Sequence, residues 1–338
     1  MRLRCHWAYA VTLAAAMTLG HAAGAQGVDP ATLVHPPTDS WPTANGDYTG
    51  ERHSPLTQIT PTNINDLNLA WAFEAGGTVR IASNPILVDG TLYISAPDNL
   101  WALDARSGGQ IWHYMYPPNK AFHIGHRGVA VYRDWIYLTT PDAHLISLDS
   151  KTGDVRWNVT IGDYQKGYWS TMAPLVVHDH VLVGLSGDFD NLPGMIKAID
   201  PETGKTQWTW FSTQPAGTPN STTGGNTWVT GTYDPDLNLL YWGTGNPTPV
   251  LNGAARPGDD PWTCSIVALN PDTGQQVWGF QASPHDTHDW DAVELPVLVD
   301  GNFNGTPKKM LMQASRNGYF FVLDRTNGKS LLTVPFAA

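Results

Sequence analysis

The run Leu145-Ile146-Ser147-Leu148-Asp149-Ser150-Lys151-Thr152-Gly153-Asp154-Val155-Arg156-Trp157 contains an apolar strand, a tight turn and a second strand that carries a tryptophan. Asp149 is the residue type that caps a turn with its side chain, and Gly153 the type that supplies a positive φ, so Asp-x-x-Thr-Gly predicts a hairpin. The pattern recurs at Asp104–Ser107-Gly108–Trp112, Asp200–Thr203-Gly204–Trp208 and Asn270–Thr273-Gly274–Trp278. A fifth copy, Asp324–Asn327-Gly328–Leu332, lacks the Trp. An apolar strand precedes every copy (LWALD, LISLD, IKAID, IVALN, FFVLD), and a further strand precedes most of these, as in ILVDGTLYIS at 86–95. A Trp at one place in every unit can pack on the neighbouring unit and bury a large area. A single four-stranded sheet cannot bury both its faces, so such units stack radially. Trp spacings run from 41 (Trp71 to Trp112) to 70 (Trp208 to Trp278), near a propeller blade's length, with the excess in loops. A sandwich with coincident turns does not explain five copies. A WD40 propeller would need a Gly-His…Trp-Asp signature, and Trp290-Asp291 stands alone.

Composition agrees. The 338 residues include 33 Gly and 26 Pro but only 14% charged residues, which suits many turns and short strands rather than long solvated helices. A net charge of −11 with no Lys/Arg-rich run gives no footprint for a nucleic-acid partner. Met1-Arg2-Leu3-Arg4, the apolar run Ala8–Gly20 and Ala23-Gly24-Ala25 read as a secretory signal peptide over 1–25, leaving 26–338 as one domain. The run is too short to span a bilayer and no later segment could do so, so the expected location is the periplasm. Removal of Cys5 with the signal leaves Cys264 alone, which excludes an intrachain disulfide and favours a small buried hydrophobe.

Ala-x-Asp-x-x-Thr-Gly-x-x-x-Trp resembles the tryptophan-docking motif of the quinoprotein (PQQ-dependent) alcohol dehydrogenases. The likeness runs from Trp41 to the end, and WPTANGDYTGERHSPLTQIT at 41–60 is similar to the family's N-terminal block. The resemblance implies an all-β, eight-bladed propeller of which about five blades are present, so the expectation is a truncated member. Trp71, in INDLNLAWAF, resembles a docking Trp without its turn and is expected on a strand that completes the last blade.

The resemblance also implies a site, carried over position by position. Arg127 in His126-Arg127-Gly128 matches the Arg that holds the carboxylates of pyrroloquinoline quinone (PQQ), a role suited to a planar guanidinium. Thr140, Thr171, Ser186 and Gly187 match positions that contact the cofactor, and Trp228 in GGNTW matches the Trp that stacks under it. Asn246 in GTGNP matches a metal-ligating Asn, Asp291 the catalytic Asp that also reaches the metal, and Arg316 the Arg at the reactive carbonyl. There are departures. Ala82 stands where the family has a PQQ-binding Glu, Phe189 stands at the metal-binding Glu with Asp188 the preferred substitute over Asp190, and Ala121–Gly125 lacks the adjacent cysteines. Carboxylate and amide oxygens suit Ca2+, with a lanthanide as the other option. The activity implied is oxidation of an alcohol or sugar hydroxyl by hydride transfer to the quinone, with Asp291 as general base and a cytochrome c as electron acceptor. Two further readings are kept: a non-catalytic propeller scaffold of the same repeat, and a transition-metal site in His285-Asp286-Thr287-His288-Asp289-Trp290-Asp291.

Overall fold

The computed structural model describes residues 28–76, 81–117, 125–187, 192–213 and 223–337. The proposed signal peptide, Asp188, Phe189, Asp190 and the 121–124 segment lie outside the described residues.

Five four-stranded antiparallel sheets follow one another along the chain. Blade 1 is β1 (Ile86–Val88), β2 (Thr91–Ala96), β3 (Asn99–Asp104) and β4 (Gln110–Met115). Blade 2 is β5 (Ala130–Tyr132), β6 (Trp135–Thr139), β7 (His144–Asp149) and β8 (Val155–Thr160). Blade 3 is β9 (Leu175–Val177), β10 (His180–Leu185), β11 (Met195–Ile199) and β12 (Thr206–Phe211). A short ribbon of β13 (Thr223–Gly224) and β16 (Pro247–Thr248) flanks blade 4, which is β14 (Thr232–Asp234), β15 (Leu239–Gly243), β17 (Ser265–Leu269) and β18 (Gln276–Gln281). Blade 5 is β19 (Val297–Phe303), β20 (Thr306–Ala314), β21 (Tyr319–Asp324) and β22 (Lys329–Pro335). The expected all-β propeller with five blades is what forms.

Burial follows radial stacking. Sheets covered on both faces need continuous apolar strands, and β10 and β15 are buried along their whole length. The fourth strand is the solvent edge, where β4, β8 and β12 are mostly exposed or half-buried and only Trp112 and Trp210 are buried. One apolar cluster runs through blades 1 to 3 into blade 4, and a second joins blades 4 and 5. Residues 28–50 cross the inner strands: Val28 bridges Arg133, Trp41 bridges Leu87, Tyr48 Oη donates to Val176 O, and the amides of Tyr233 and Leu298 donate to Tyr48 O and Thr49 O. This segment therefore touches all five blades at the axis.

The repeated turn does what its residues suggest, with one refinement. Each Trp sits on the glycine of the following blade's turn, not its own. The turn glycines 108, 153, 204, 274 and 328 all have φ between +69° and +76°. A Cβ on Gly108, Gly153, Gly274 or Gly328 would lie 2.5–2.8 Å from the ring of Trp71, Trp112, Trp208 or Trp278, so both the backbone and the ring demand glycine. Beside each Trp, or Leu332, the pairing of the third and fourth strands shifts register, with one extra residue on the fourth strand, in all five blades. The bulge adds local twist and turns the ring onto its neighbour. Trp71, Trp112, Trp208 and Trp278 each donate Nε1–H to the carbonyl after the turn's Asp or Asn (Ala105, Ser150, Pro271, Arg325) at 2.7–3.1 Å. The expectation for Trp71 holds in its docking but not in its strand: among the described residues, 67–76 form no strand, and Phe73 and Ala75 pack instead on Trp101 and Leu103 of blade 1.

The third junction differs. There the carbonyl of Pro201 accepts from Tyr137 Oη at 3.0 Å and from the Arg156 guanidinium, which stacks on Trp135 at 4.0 Å. Trp157 Nε1 is left buried with no hydrogen-bond partner among the described residues. Trp112→Phe therefore costs about 1 kcal/mol more than Trp157→Phe, because only the first loses a hydrogen bond. Urea denaturation of the two variants checks this, and equal costs would contradict it.

Candidate active site

Strand direction decides where the chemistry gathers. In an antiparallel blade the first strand starts, and the second ends, at the same end of the sheet, while the docking turn between the third and fourth strands lies at the opposite end. Arg127, Thr171, Trp228 and Asp291 lie in segments that lead into the first strands of blades 2, 3, 4 and 5. Thr140, Ser186, Gly187, Asn246 and Arg316 follow the second strands of blades 2, 3, 4 and 5. All the expected residues inside the described segments thus fall at one mouth of the axis.

Side-chain contacts bind five of them together. The Trp228 ring has the Arg127 guanidinium 4.7 Å from its centroid and the Arg316 guanidinium at 5.9 Å. Trp228 Nε1 donates to Asp291 Oδ2 at 3.1 Å, and the Asn246 amide N–H donates to Asp291 Oδ1 at 2.6 Å. Arg316 Nη1 lies 3.3 Å from Asp291 Oδ2 and donates to the carbonyl of Asp289 at 3.1 Å. Thr171 extends the group: its Oγ1 accepts from Arg127 Nη1, and its carbonyl accepts the Arg127 amide at 3.0 Å.

Close backbone approach makes this possible. A Cβ on Gly184 of β10 would lie 1.9 Å from the carbonyl of Thr227, so only glycine lets the Trp228 segment lie against blade 3. Asn226, which the sequence did not single out, accepts the Gly187 amide on its Oδ1 at 3.1 Å and the Gly245 amide on its carbonyl at 2.8 Å. It thereby fixes the segments that carry Ser186, Trp228 and Asn246 relative to one another.

Electrostatics follow from burial. Asp291 is 4% exposed, and burial pushes its carboxyl up to about 7 against the opposing pull of Arg316 and the Asn246 N–H. Burial also raises Asp289 and Glu294, each partly offset by Arg316. Arg316 is the only guanidinium beside these three carboxyls among the ion pairs of the described residues.

Other expected residues are placed differently. Thr140 is buried, and its hydroxyl donates to Asp142 Oδ1 and accepts the His144 amide within its own hairpin. Ser186 Oγ is buried with no hydrogen-bond partner among the described residues. Ala82 is exposed. The histidine-rich run does not converge: Asp286 accepts the amides of His288, Asp289 and Trp290, His285 Nδ1 pairs with Gly258 O, and the His288 ring stacks on Trp290 at 4.2 Å. Among the described residues no three His, Cys, Asp or Glu side chains are grouped to hold a metal, so the transition-metal reading of that run is not supported. Cys264 is fully buried and burial pushes its thiol far up, as a small core residue requires.

The residues present fit a flat polyanion and a hard cation. Two guanidinia approach one half-buried indole, at 4.7 and 5.9 Å from its centroid, and the Ser186 hydroxyl has no hydrogen-bond partner among the described residues. Asn246 Nδ2 donates to Pro247 O, which leaves its amide oxygen to act as a ligand beside the Asp291 carboxylate.

Fold and cluster define a class: a radial β-propeller with ionised and amide side chains gathered at one mouth of its axis. The chain belongs to the PQQ glucose/ethanol/alcohol dehydrogenase β-propeller family, whose model matches residues 41–336. It is 36% identical over 323 residues to a quinohemoprotein alcohol dehydrogenase of Comamonas testosteroni, covering 86% of this chain and 46% of that protein. It is 34% identical over 326 residues to a lanthanide-dependent methanol dehydrogenase of Methylorubrum extorquens, covering 86% of this chain and 54% of that protein. The crystal structure of the Comamonas testosteroni enzyme superposes with a TM-score of 0.86 over 92% of this chain and 51% of that one. A europium-containing methanol dehydrogenase superposes with a TM-score of 0.82 over 90% and 59%. The chain spans about half the length of these relatives.

Proposed function

We propose that this protein is a PQQ-dependent oxidoreductase that oxidises an alcohol in the periplasm, after removal of residues 1–25, and passes electrons to a c-type cytochrome. One observation carries the reading: the guanidinia of Arg127 and Arg316 lie 4.7 and 5.9 Å from the Trp228 ring centroid, while its indole N–H rests on an Asp291 that is also joined to the Asn246 backbone. The relatives named as alcohol and methanol dehydrogenases support the substrate class, and their PQQ family supports the cofactor.

PQQ, when bound, supplies the two-electron acceptor that takes the carbinol hydrogen as hydride. Arg127, oriented by Thr171, would hold a carboxylate of the cofactor, and Trp228 would lie against its face. Asn246 and Asp291 would hold Ca2+ or a lanthanide, with Asp188 a further candidate ligand. Asp291 takes the alcohol proton. Burial raises the cation-free Asp291 carboxyl to about 7, and a cation held beside it would favour the anion, the form that can accept the proton. Arg316 keeps the anionic form within reach despite burial.

Titration of the purified chain with PQQ, in the presence of Ca2+ and then La3+, follows quenching of tryptophan fluorescence. Saturable, metal-dependent quenching is expected, with affinity lowered about tenfold or more by Arg127→Lys, which loses the forked donor set. A folded protein that binds no PQQ with either metal overturns the reading and leaves the scaffold alternative.

A further inference from the structure

Arg256 is buried in the long connection between β15 and β17, a segment that composition alone reads as an ordinary turn, Arg256-Pro257-Gly258-Asp259-Asp260. Its guanidinium forms an ion pair with Asp260, whose side chain is fully buried. Three further donors go to carbonyls: Nε to Pro249 at 2.9 Å, and Nη2 to Val250 at 3.1 Å and to Asp286 at 2.6 Å. Pro249 and Val250 lie three and four residues after Asn246, and Asp286 lies five residues before Asp291. One planar side chain therefore joins the segment that carries Asn246 to the segment that carries Asp291.

The second segment is fixed from the same point. Asp286, whose carbonyl Arg256 holds, caps the amides of His288, Asp289 and Trp290 with its carboxylate, which shapes the turn leading into Asp291. His285 is tied back to the Arg256 loop, through its amide to Asp259 O at 3.1 Å and its Nδ1 to Gly258 O at 2.6 Å. Gln281 Nε2 closes the loop by donating to the carbonyls of Asp259, Asp260 and Thr263. The Asn246 backbone amide meets Asp291 in a bond of 2.6 Å, and the Ala292 amide donates to Thr244 O at 3.1 Å beside it; Arg256 ties the same two segments a second time, farther from the site.

We propose that Arg256, charge-balanced by Asp260, is the positioning residue that sets Asn246 against Asp291. It touches neither reacting atoms nor ligand. It acts through the backbone of 249–250 and 286, and its catalytic meaning rests on the function proposed above, whereas its structural claim does not. Lysine cannot replace it, because an ammonium has no planar fork to reach two segments and a carboxylate together.

The test is hydrogen exchange on the 15N-labelled chain, read at the Asn246 amide and the Trp228 indole N–H, the two donors to Asp291. Arg256→Lys is expected to speed exchange at both by about tenfold or more, while the amides of β10 in blade 3 keep their wild-type rates. Wild-type rates at both donors in a folded variant overturn the proposal, and so does equal acceleration across blades 3 and 4, which describes general loosening. Asp260→Asn keeps the shape and removes the charge, and carries the test if the lysine variant does not fold. Tryptophan-sensitised Tb3+ luminescence separates the two claims. If the proposed metal site is real, Asn246→Ala abolishes Tb3+ binding and Arg256→Lys weakens it about tenfold. A wild-type chain that binds no Tb3+ sinks the metal assignment, while the exchange rates still judge Arg256.

Discussion

Trp112→Ala lowers the stability of the chain by about 4 kcal/mol, the cost of removing a large buried ring from a site that cannot collapse. Trp112 is 8% exposed, lies 5.9 Å from the Tyr93 ring and donates to Ser150 O at 2.9 Å. The seat beneath it has no slack. A methyl on Gly153 would stand 2.8 Å from the indole, at a φ of +76° that L-residues rarely adopt. Gly153→Ala is therefore expected to cost about 2 kcal/mol or more in the wild-type background, but only about 1 kcal/mol once Trp112 is Ala, where the steric part is gone and the backbone part remains. Thermal or urea unfolding of the two single variants and the double variant measures this coupling. Strict additivity would show that ring and glycine do not share the contact described.

Asp291→Asn reduces alcohol oxidation by the PQQ-loaded protein by roughly 100- to 10,000-fold, the usual worth of a positioned general base. It has a second signature that needs no cofactor. Burial raises the native Asp291 pKa from 3.8 to about 7, so between those values the folded state binds more protons at this site than the unfolded state. Stability contributed by this group therefore falls as pH rises from about 4 to 7 and is level above that. The Asn variant does not titrate, so its stability against pH is flatter over that window. Denaturation at a series of pH values, with no added cation, reads the difference. An Asn variant that oxidises alcohol at the wild-type rate would remove Asp291 from the mechanism, and parallel pH profiles would remove its raised pKa.

Much of the fold was legible because the repeat states its own geometry. A turn that needs a carboxylate cap and a positive φ admits few residues, and Asp149 and Gly153 in their recurring spacing name it without knowledge of the rest of the chain. The position of the site was legible only through resemblance. Arg127, Trp228, Asn246, Asp291 and Arg316 are scattered over 190 positions (316 − 127 + 1), and nothing local says that they share one mouth. Thr140 adds a detail that the resemblance did not carry. A hydroxyl satisfied within its own hairpin by Asp142 and His144 looks the same in sequence as one turned to a ligand. Arg256 and Asp260 were missed for the converse reason. Arg-Pro-Gly-Asp-Asp has the composition of a solvated loop, and only the burial of both charges reveals that they form a clasp. The vacated partner of Trp157 was equally invisible, because it depends on Arg156 folding back over Trp135 to take the carbonyl of Pro201.

Seating each tryptophan on the next unit's glycine also governs how such a chain can change its length in evolution. A deletion that starts and stops at equivalent points of two units carries away one ring and one seat together. The upstream ring then finds the seat that follows the gap, and the array closes over the loss. A cut at unmatched points leaves a ring without a seat or a seat without a ring. At the level of the ring and its seat, the whole unit is therefore the natural module of gain and loss, although the third junction, where Trp157 makes no such hydrogen bond, shows that the units are not fully interchangeable.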